Sequence, residues 1–327
     1  MLKFILRRVM IMIPTVLVIS VIVFTIIQLP PGDYFYAYLA QMQEQGIDLD
    51  EEIIQRLRSR YGFDQPVLVQ YFKWFIRVLQ GDLGYSFRYG APVTNLIGER
   101  LLLTITITLG TLIFTWVVAF PIGIYSAIRQ YSVGDYIATF IGFLGLAIPN
   151  FMLALVLMFL GFKFFGFSVG GLFSMQYANA PWTWGKFVNM LEHIWVPIIV
   201  VGTAGTAGLI RIMRANLLDE LPKNYVTTAR SGGLAEWKVI MRYPVRVALN
   251  PFVSTIGWLL PQLISGATIT AVVLSLPTTG PMLLEALRNQ DMFLAGSFVF
   301  LLSLLTVIGT LISDILLALL DPRIRYQ

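Results

Sequence analysis

Few side chains in this sequence could do covalent or metal chemistry. Its 327 residues include no cysteine and a single histidine, His193, which excludes a thiolate nucleophile and a multi-histidine metal site. One carboxylate, Asp314, lies well inside an apolar run, where we expect it to anchor the helix end or to pair with a basic residue. No G-x-x-x-x-G-K-[ST] motif occurs, so the chain lacks the phosphate cradle of P-loop ATPases. The sequence predicts no catalytic residue, no metal and no cofactor in this chain.

The composition places the chain in a membrane. Hydrophobic residues make up 57% of the sequence and charged residues 13%, roughly half the charged share of an ordinary soluble domain. The net charge of +5 does not predict nucleic-acid binding, because the basic residues are not clustered on a soluble domain with interleaved aromatic side chains. The predicted fold class is therefore an all-α integral membrane protein.

A polar segment at residues 224–251 is set between very apolar regions and predicts a docking surface. Good helix formers and two threonines over 225–231 predict a short helix, which Gly232 and Gly233 break. A second helix is expected over 234–243, before a proline. The segment is thus predicted to be a helix, a hinge and a second helix.

The second of these helices is predicted to be amphipathic. Its apolar side chains recur at spacings of three and four: Leu234, Trp237, Ile240 and Met241. Its charged side chains point elsewhere: Glu236, Lys238 and Arg242. An interfacial helix lying on anionic lipid is the alternative interpretation of this pattern.

Six apolar runs are long enough to cross a membrane as helices. They cover residues 9–29, 101–127, 136–162, 194–210, 253–274 and 293–320. The first run is too long for a signal-peptide core and is expected to be retained. With both termini and the loops after spans two and four in the cytoplasm, the inside carries an excess of basic over acidic residues, and the outside does not. The predicted organisation is 1–33 for the amino terminus and first span, 34–100 for an exterior helical segment, and 101–327 for a five-span core with a cytoplasmic loop at 211–251.

The two exterior stretches differ in character. The first is predicted to hold short helices at 49–60, 66–79 and 92–100, with a glycine-rich turn at 81–87. The second, at 164–192, is rich in Gly, Phe and Trp. Trp182, Trp184 and Trp195 suit the membrane interface, and His193 is expected to be a plain interfacial histidine.

Several short motifs stand together in the order and spacing of one family. They are LRR at 6–8, LPPGD at 29–33, YGFDQP at 61–66, GDLGYSF at 81–87, Thr228-Ala229-Arg230 and Gly233-Leu234 in the polar segment, and LLDPRIRY at 319–326. Together they resemble the permease subunits of ATP-binding cassette importers, in the peptide/nickel class, and there the amino-terminal type of the permease pair. The polar segment is similar to that family's EAA loop, although Thr227 stands where the glutamate would be and Arg246 where a later proline would be. The turn at 278–279 also departs from the family's glycine-rich PGLG.

The resemblance implies a type I importer permease and a role for the polar segment. In that family the loop is the coupling helix, inserted into a groove of the ATPase subunit. The residues implied for ATPase coupling are Tyr225, Thr227, Thr228, Ala229, Arg230, Gly233, Leu234 and Arg242. Residues expected along the translocation path, because prolines and polar groups inside spans tend to line cavities, are Pro149, Asn150, Gln262 and Ser265. A packing kink is the alternative for the first two. Candidate contacts for a binding protein are Asp82, Tyr85, Phe87 and Asn289.

The resemblance also implies partners, substrate and location. The partners are a second, homologous permease subunit, two ATP-binding subunits that hold ATP and Mg²⁺, an extracytoplasmic solute-binding protein and the lipid bilayer. The location is the prokaryotic cytoplasmic membrane. Peptides are the family's default cargo; oligosaccharide import by the same architecture is the alternative, and a nickel chelate ranks lower because the spans offer no histidine or cysteine ligands. A channel or a secondary transporter is disfavoured, since intramembrane charged clusters and internal repeats are missing from the sequence.

Overall fold

A computed structural model describes residues 2–28, 65–86, 88–165, 170–178, 180–254 and 268–320. Several predicted features lie outside these residues. They are the helix at 49–60, Phe87, Gln262, Ser265 and the motif residues after 320.

Four described helices are long and apolar enough to cross a membrane: α1 (Leu2–Gln28), α3 (Val93–Ile128), α6 (Trp184–Glu220) and α12 (Met292–Leu320). A fifth crossing requires α4 (Val133–Ala147) and α5 (Asn150–Phe165) together, and these two helices are bent by 101° at the break between them. The predicted third span is therefore not one straight helix. The predicted fifth span, 253–274, lies mostly outside the described residues.

Shorter elements connect and flank these helices. They are α2 (Val67–Leu79), the paired strands β1 (Tyr85–Ser86) and β2 (Ala91–Pro92), α7 (Asn224–Ser231), α8 (Glu236–Arg242), α9 (Pro244–Ser254), α10 (Thr268–Val273) and α11 (Thr279–Arg288). The helix predicted at 66–79 is present as α2, with Pro66 at its N-cap position. Among its described residues, the glycine-rich turn at 81–87 contributes only the two-residue strand β1, which pairs with β2.

Two predicted boundaries are wrong. The helix expected at 92–100 is not separate, because α3 continues from Val93 through the second span and past Pro121 without a break. Proline is tolerated there, since neighbouring groups in a membrane helix bundle can satisfy the carbonyl that it frees. Likewise, α6 extends beyond 210 as far as Glu220, so the loop predicted from 211 begins as the last turns of a helix.

The centre of the fold is the parallel pair α3 and α6. Their backbones approach closely where one helix has glycine: a Cβ built on Gly123 would lie 2.7 Å from the Met213 Cβ, and one on Gly202 would lie 2.7 Å from the Phe114 ring. Near the start of α3, Leu103 and Ile107 share a buried cluster with residues of the first half of α6. Small residues at these positions allow the helices to pack without intervening side chains.

A second pair, α1 and α12, is antiparallel. At one end, Arg8 Nη1 lies 3.3 Å from Asp314 Oδ2, which confirms that Asp314 pairs with a basic residue. At the other end, Phe24 and Phe300 pack with Trp74 of α2 in a buried cluster. The amino terminus of α1 and the carboxyl terminus of α12 therefore lie at the same end of the bundle.

A buried cation organises the start of α6. Lys186 is 3% exposed; its ammonium donates to the Ala180 carbonyl at 2.8 Å, contacts Glu99 at 3.5 Å and lies 4.8 Å from the Phe173 ring centre. Trp182 also donates to Glu99. These contacts hold the Gly- and Trp-rich stretch against the first turns of α3 and α6.

Candidate functional site: the polar segment

Up to residue 243 the polar segment folds as the sequence predicts, as two helices joined by a glycine turn, but its remainder from Pro244 onward is a third helix, α9, that was not predicted. Gly232 ends α7 by donating its N–H to the Thr228 carbonyl at 3.1 Å. Gly233 then adopts φ +74°, a conformation that L side chains rarely adopt, and donates to the Arg230 carbonyl at 3.0 Å. The hinge between α7 and α8 therefore depends on glycine at position 233.

Apolar side chains fasten the segment to the membrane core. Val226 of α7 and Val239 of α8 are fully buried, and Ile240 is 5% exposed. Ile240 belongs to a buried cluster with Met213 and Leu217 of α6. Movement of the segment must therefore be accompanied by movement of the end of α6 or by loss of this packing.

Glu220, the last residue of α6, ties the beginning of the segment by polar contacts. The Lys223 ammonium lies 2.5 Å from its Oε1, and the Tyr225 hydroxyl donates to its Oε2 at 2.6 Å. Burial, together with this carboxylate, raises the pKa of the Tyr225 phenol above its ordinary value. The phenol is thus a neutral hydrogen-bond donor at physiological pH.

Arg230 and Glu236 span the hinge. The Arg230 Nε donates to both Glu236 carboxylate oxygens at 3.0 and 3.1 Å, and Nη2 donates to Oε1 at 2.7 Å. Both side chains are exposed, so this pair contributes little to stability, and its fork geometry can only favour the observed angle between α7 and α8. The pairing joins Arg230, a predicted coupling residue, to Glu236, which the sequence places only on the charged face of the second helix.

The predicted apolar face of the second helix is divided in two. Ile240 packs inward, whereas Leu234, Trp237 and Met241 are 40%, 65% and 44% exposed. The buried face of this helix is formed by Val239 and Ile240. The other three apolar side chains lie away from that face and stay exposed. Exposed large apolar side chains grouped on a polar segment are typical of a surface that binds a partner. Three further predicted residues, Thr227, Thr228 and Arg242, are also exposed, and Ala229 is half-buried.

A buried ion pair beside the segment was not anticipated from the sequence. Asp135, in the first turn of α4, is 2% exposed and receives two hydrogen bonds from Arg214 of α6, at 3.1 and 2.9 Å. The Tyr131 N–H donates to the same carboxylate at 2.9 Å. One local signal was available: Ser132 accepts a hydrogen bond from the Asp135 N–H, which is the pattern of a helix N-cap.

The predicted path residues lie only partly within the described chain. Pro149 is exposed, and half-buried Asn150 begins α5 at the 101° bend. The bend agrees with the expected kink, but it is far sharper than the packing kink that a proline gives within one span. Gln262 and Ser265 lie outside the described residues.

The two stretches predicted to meet a binding protein are brought together. Leu83 shares a buried cluster with Met282 and Ala286 of α11, just before Asn289. Asp82 is exposed and accepts a hydrogen bond from the Gly84 N–H at 2.9 Å. Asn289 is exposed and Tyr85 half-buried, whereas Phe87 is outside the described residues.

Asp291 lies buried below the surface formed by Asp82, Tyr85 and Asn289 and holds it by hydrogen bonds. It is fully buried between α11 and α12, and the Ser86 hydroxyl donates a hydrogen bond to its Oδ2. The Leu294 N–H donates to its Oδ1 at 3.3 Å. Burial raises the pKa of the Asp291 carboxyl above its ordinary value, because the loss of water around the charged form outweighs the hydrogen bonds that the carboxylate accepts.

Comparison with protein families covers nearly all of these elements. Residues 1–108 match the amino-terminal model described as a binding-protein-dependent transport system membrane component, and residues 119–326 match the model described as "Binding-protein-dependent transport system inner membrane component". The chain belongs to this family. The permease is therefore a multi-pass inner-membrane protein, and the resemblance to peptide-type permease subunits is confirmed.

Curated relatives of the permease align along their whole length. It is 34% identical over 332 residues to the oligopeptide transport system permease protein AppB of Bacillus subtilis (strain 168), with 100% of both chains covered. It is 29% identical over 343 residues to the dipeptide transport system permease protein DppB of Escherichia coli (strain K12), again with 100% of both chains covered. It is 29% identical over 327 residues, with the same coverage, to the glutathione transport system permease protein GsiC of Salmonella paratyphi A (strain ATCC 9150 / SARB42). Each of these relatives is named as a permease protein of a transport system.

Proposed function

We propose that this permease forms half of the translocation path of an ATP-driven importer of peptides. The observation that carries the proposal is the end-to-end alignment with permeases named for oligopeptides, dipeptides and glutathione, the last of which is itself a short peptide. Oligosaccharides, to which the aromatic-rich segment at 164–195 points, and a nickel chelate remain the alternatives that the cargo experiment must separate from peptides.

The proposed topology has six spans with both termini in the cytoplasm. The antiparallel pairing of α1 with α12, joined by Arg8 and Asp314, supports placing both termini on one side. The Ser313 hydroxyl donates to the Val253 carbonyl at 3.4 Å, which supports placing the polar segment near that same side. Basic residues on this side, including Arg129 and Arg214, agree with the positive-inside bias. The domain division into 1–33, 34–100 and 101–327, with α2 in the exterior segment, belongs to this proposal.

The polar segment is proposed to dock in a groove of an ATP-binding subunit. Its exposed residues Leu234, Trp237 and Met241 would supply the apolar contacts, and Arg242 would face the partner's polar rim. ATP and Mg²⁺ are proposed to bind in the partner ATPase subunits, with no cofactor or metal in this chain. Closure of the ATPases would push α7 and α8, and the buried contact of Ile240 with α6 would carry that displacement into the spans.

The opposite end of the bundle is proposed to receive cargo from a solute-binding protein. Asp82, Tyr85 and Asn289 lie around one buried cluster and so can act as one rigid docking surface, which Phe87 would extend. A second permease subunit would complete the path, and Pro149, Asn150, Gln262 and Ser265 are its proposed lining in this chain. The cytoplasmic end and the exterior end of the path would then open alternately.

Cargo is tested by co-purification and ATPase stimulation. The assembled complex is purified from native membrane, its subunits are identified, and ATP hydrolysis is measured with the binding protein and either peptides or oligosaccharides. The proposal requires two ATPase subunits, a second permease and stimulation by peptides. Stimulation by sugars alone would mean that the cargo is an oligosaccharide and would leave the proposed subunit architecture standing. A chain that purifies alone would contradict the importer proposal.

Docking of the polar segment is tested with two exposed tryptophans. Trp237→Ala should weaken retention of the ATPase subunits by roughly 30-fold, the ratio expected when an aromatic anchor worth about 2 kcal/mol is lost. Trp184→Ala is the matched control, because Trp184 is 77% exposed at the opposite end of α6. Equal retention in both variants, with the segment still open to aqueous labelling in the complex, would favour the lipid-bound alternative.

A further inference from the structure

The protein buries only part of the apolar surface of α2. Four apolar side chains of this helix recur at spacings of three and four and are 52–73% exposed; they form an outward stripe of Leu68, Phe72, Ile76 and Leu79. With 13 residues, α2 is about 20 Å long and too short to cross a hydrocarbon core of about 30 Å. The outward stripe therefore does not belong to a further span.

The side chains of α2 divide into three sectors around the helix axis. One sector packs on the protein through Tyr71, Trp74 and Val78. At about 100° per residue, the outward stripe is centred roughly 120° from that sector, and a polar sector lies roughly 120° from both. The polar sector consists of Gln70, Lys73 and Arg77. A helix at the edge of a membrane protein meets protein, lipid and water in three such directions when it lies in the bilayer interface.

The contacts between α2 and α1 show that the two helices cross. The Gln28 side chain, at the end of α1, donates to the Gln70 side chain at 2.8 Å, whereas the Tyr71 and Ser20 hydroxyls are hydrogen-bonded at 2.8 Å. Neighbouring residues of α2 thus contact points of α1 that are about 12 Å apart along its axis. This is the pattern of a helix that lies across α1, close to the plane of the membrane that α1 spans.

The packing partners of α2 lie at membrane depth. The Trp74 ring centre is 5.7 Å from that of Phe24 and 6.0 Å from that of Phe300. Phe24 lies about 6 Å before the end of α1 and Phe300 about 12 Å after the start of α12, and both helices are long and apolar enough to span. Interfacial helices bury their apolar face to a similar depth, about 5–10 Å. Lipid is therefore the environment that this position gives to the outward stripe.

We propose that α2 is an interfacial helix seated in the lipid leaflet at the Gln28 end of α1. The outward stripe lies among the acyl chains, and Lys73 and Arg77 lie at the level of the headgroup phosphates. In the proposed topology this is the outer leaflet. Because Val78 also packs against the buried cluster that contains Leu83, the seated helix holds the surface around Asp82 at the height of the bilayer surface.

The proposal is tested with nitroxide labels on single cysteines, which the chain accepts without background because it contains no cysteine of its own. In phosphatidylglycerol nanodiscs, electron paramagnetic resonance measures how often each label on the purified complex collides with oxygen, which concentrates among acyl chains, or with a water-soluble nickel chelate. Oxygen should dominate at Phe72→Cys and Ile76→Cys, as at Val21→Cys, an exposed apolar position of α1. Nickel should dominate at Gln130→Cys, an exposed polar position after α3.

Two results would overturn the proposal. Nickel access at positions 72 and 76 equal to that at position 130 would place α2 in water. Low access of both reagents would mean that protein covers the outward stripe, either a second subunit or another part of this chain. Neither reading uses cargo or ATP, so the outcome is independent of the proposed importer function.

A second experiment removes the outward stripe without touching the packed sector of α2. Leu68→Gln/Phe72→Gln/Leu79→Gln changes only exposed side chains, so the packing of Trp74 is kept. In this background the label at Ile76→Cys should lose oxygen access and gain nickel access. Lys73→Gln, in the polar sector, is the control and should leave the label at its original depth. A label that keeps its depth in the triple variant would show that the outward stripe does not seat the helix, and would overturn the proposal.

Discussion

Arg214 donates two hydrogen bonds to the buried carboxylate of Asp135, at 3.1 and 2.9 Å, and so joins α6 to the first turn of α4. Arg214 lies less than two turns before Glu220, whose carboxylate holds Tyr225 of the polar segment. One stretch of α6 is therefore connected by polar contacts both to the polar segment and, through Asp135, to α4 of the bent pair α4 and α5. These contacts connect the polar segment to the membrane helices at the end of α6, so a displacement of the segment would be passed to α6 and α4.

Removal of Arg214 should destabilise the permease strongly. Arg214→Ala leaves the Asp135 carboxylate buried without its cation, and such a loss costs about 3 kcal/mol, at the lower end of the usual range because Arg214 is partly exposed. The double variant Arg214→Gln/Asp135→Asn removes both charges and should recover most of the loss. Thermal unfolding of the complex in detergent measures both. If the double variant melts no higher than the single one, the ion pair is not the cause.

Glycine at position 233 should be required for transport but not for membrane insertion. Gly233→Ala forces an L side chain into φ +74°, at a cost of about 1–2 kcal/mol, although no atom lies within 4 Å of the added Cβ. Gly233→Pro also fixes φ near −65° and removes the N–H that bonds to Arg230, so transport should be abolished. Gly232→Ala is the control, since Gly232 has φ −75°. Normal peptide uptake by Gly233→Pro would contradict the coupling assignment.

The pair of Arg230 with Glu236 should act through its geometry. Arg230→Glu places two carboxylates across the hinge and should abolish transport, while the protein still inserts. The swapped variant Arg230→Glu/Glu236→Arg restores opposite charges and should recover part of the uptake and of the ATPase stimulation. An equally inactive swap would indicate that Arg230 contacts the partner directly and that the hinge pair is not its function.

Stability at the opposite end should depend on pH through Asp291. Because burial raises its pKa above the ordinary 3.8, its contribution is fully favourable below that value and is lost as pH rises through the folded value. Asp291→Asn should therefore gain in melting midpoint relative to the natural protein as pH increases from 4 to 8. Ser86→Ala removes a donor that stabilises the charged form and should steepen the loss. A difference between Asp291→Asn and the natural protein that does not change with pH would be evidence against this account.

The glycine contact between α3 and α6 should tolerate no added methyl group. A Cβ at Gly123 would lie 2.7 Å from the Met213 Cβ and 3.2 Å from the Ile210 carbonyl oxygen, so Gly123→Ala should cost about 1–3 kcal/mol. Gly98→Ala on the same helix meets nothing within 4 Å and should be neutral or stabilising by about 0.5–1 kcal/mol. Thermal unfolding of the two complexes compares them, and equal midpoints would contradict the close packing.

Local chemistry explains which parts of the fold could be predicted. The Gly232-Gly233 break defined the hinge, and the apolar runs located α1 and α12, because each depends on neighbours in sequence. Helix ends were harder to predict, because tertiary packing continues α6 to Glu220, well past the apolar stretch. Contacts such as Arg214 with Asp135, 79 residues apart, follow from how α4 crosses α6, which no local pattern encodes.

The same limit applies to the candidate sites. The spacing of Leu234, Trp237, Ile240 and Met241 indicated one apolar face, but only the fold decides that Ile240 faces the core and the other three face outward. The direction of α8 relative to α6 supplies that information. The residue that pairs with Asp314 was equally hidden, since Arg8 comes from the opposite end of the chain.

The packing of Ile240 against Met213 and Leu217 of α6 also implies an order of assembly. Ile240 can be buried in this way only after α6 is in place, so the outward display of Trp237 depends on completed folding. A partner that binds this surface thereby selects permeases whose spans are already in place. If ATPase subunits dock here as proposed, incompletely folded chains would not recruit them, and ATP would not be hydrolysed by transporters unable to carry cargo.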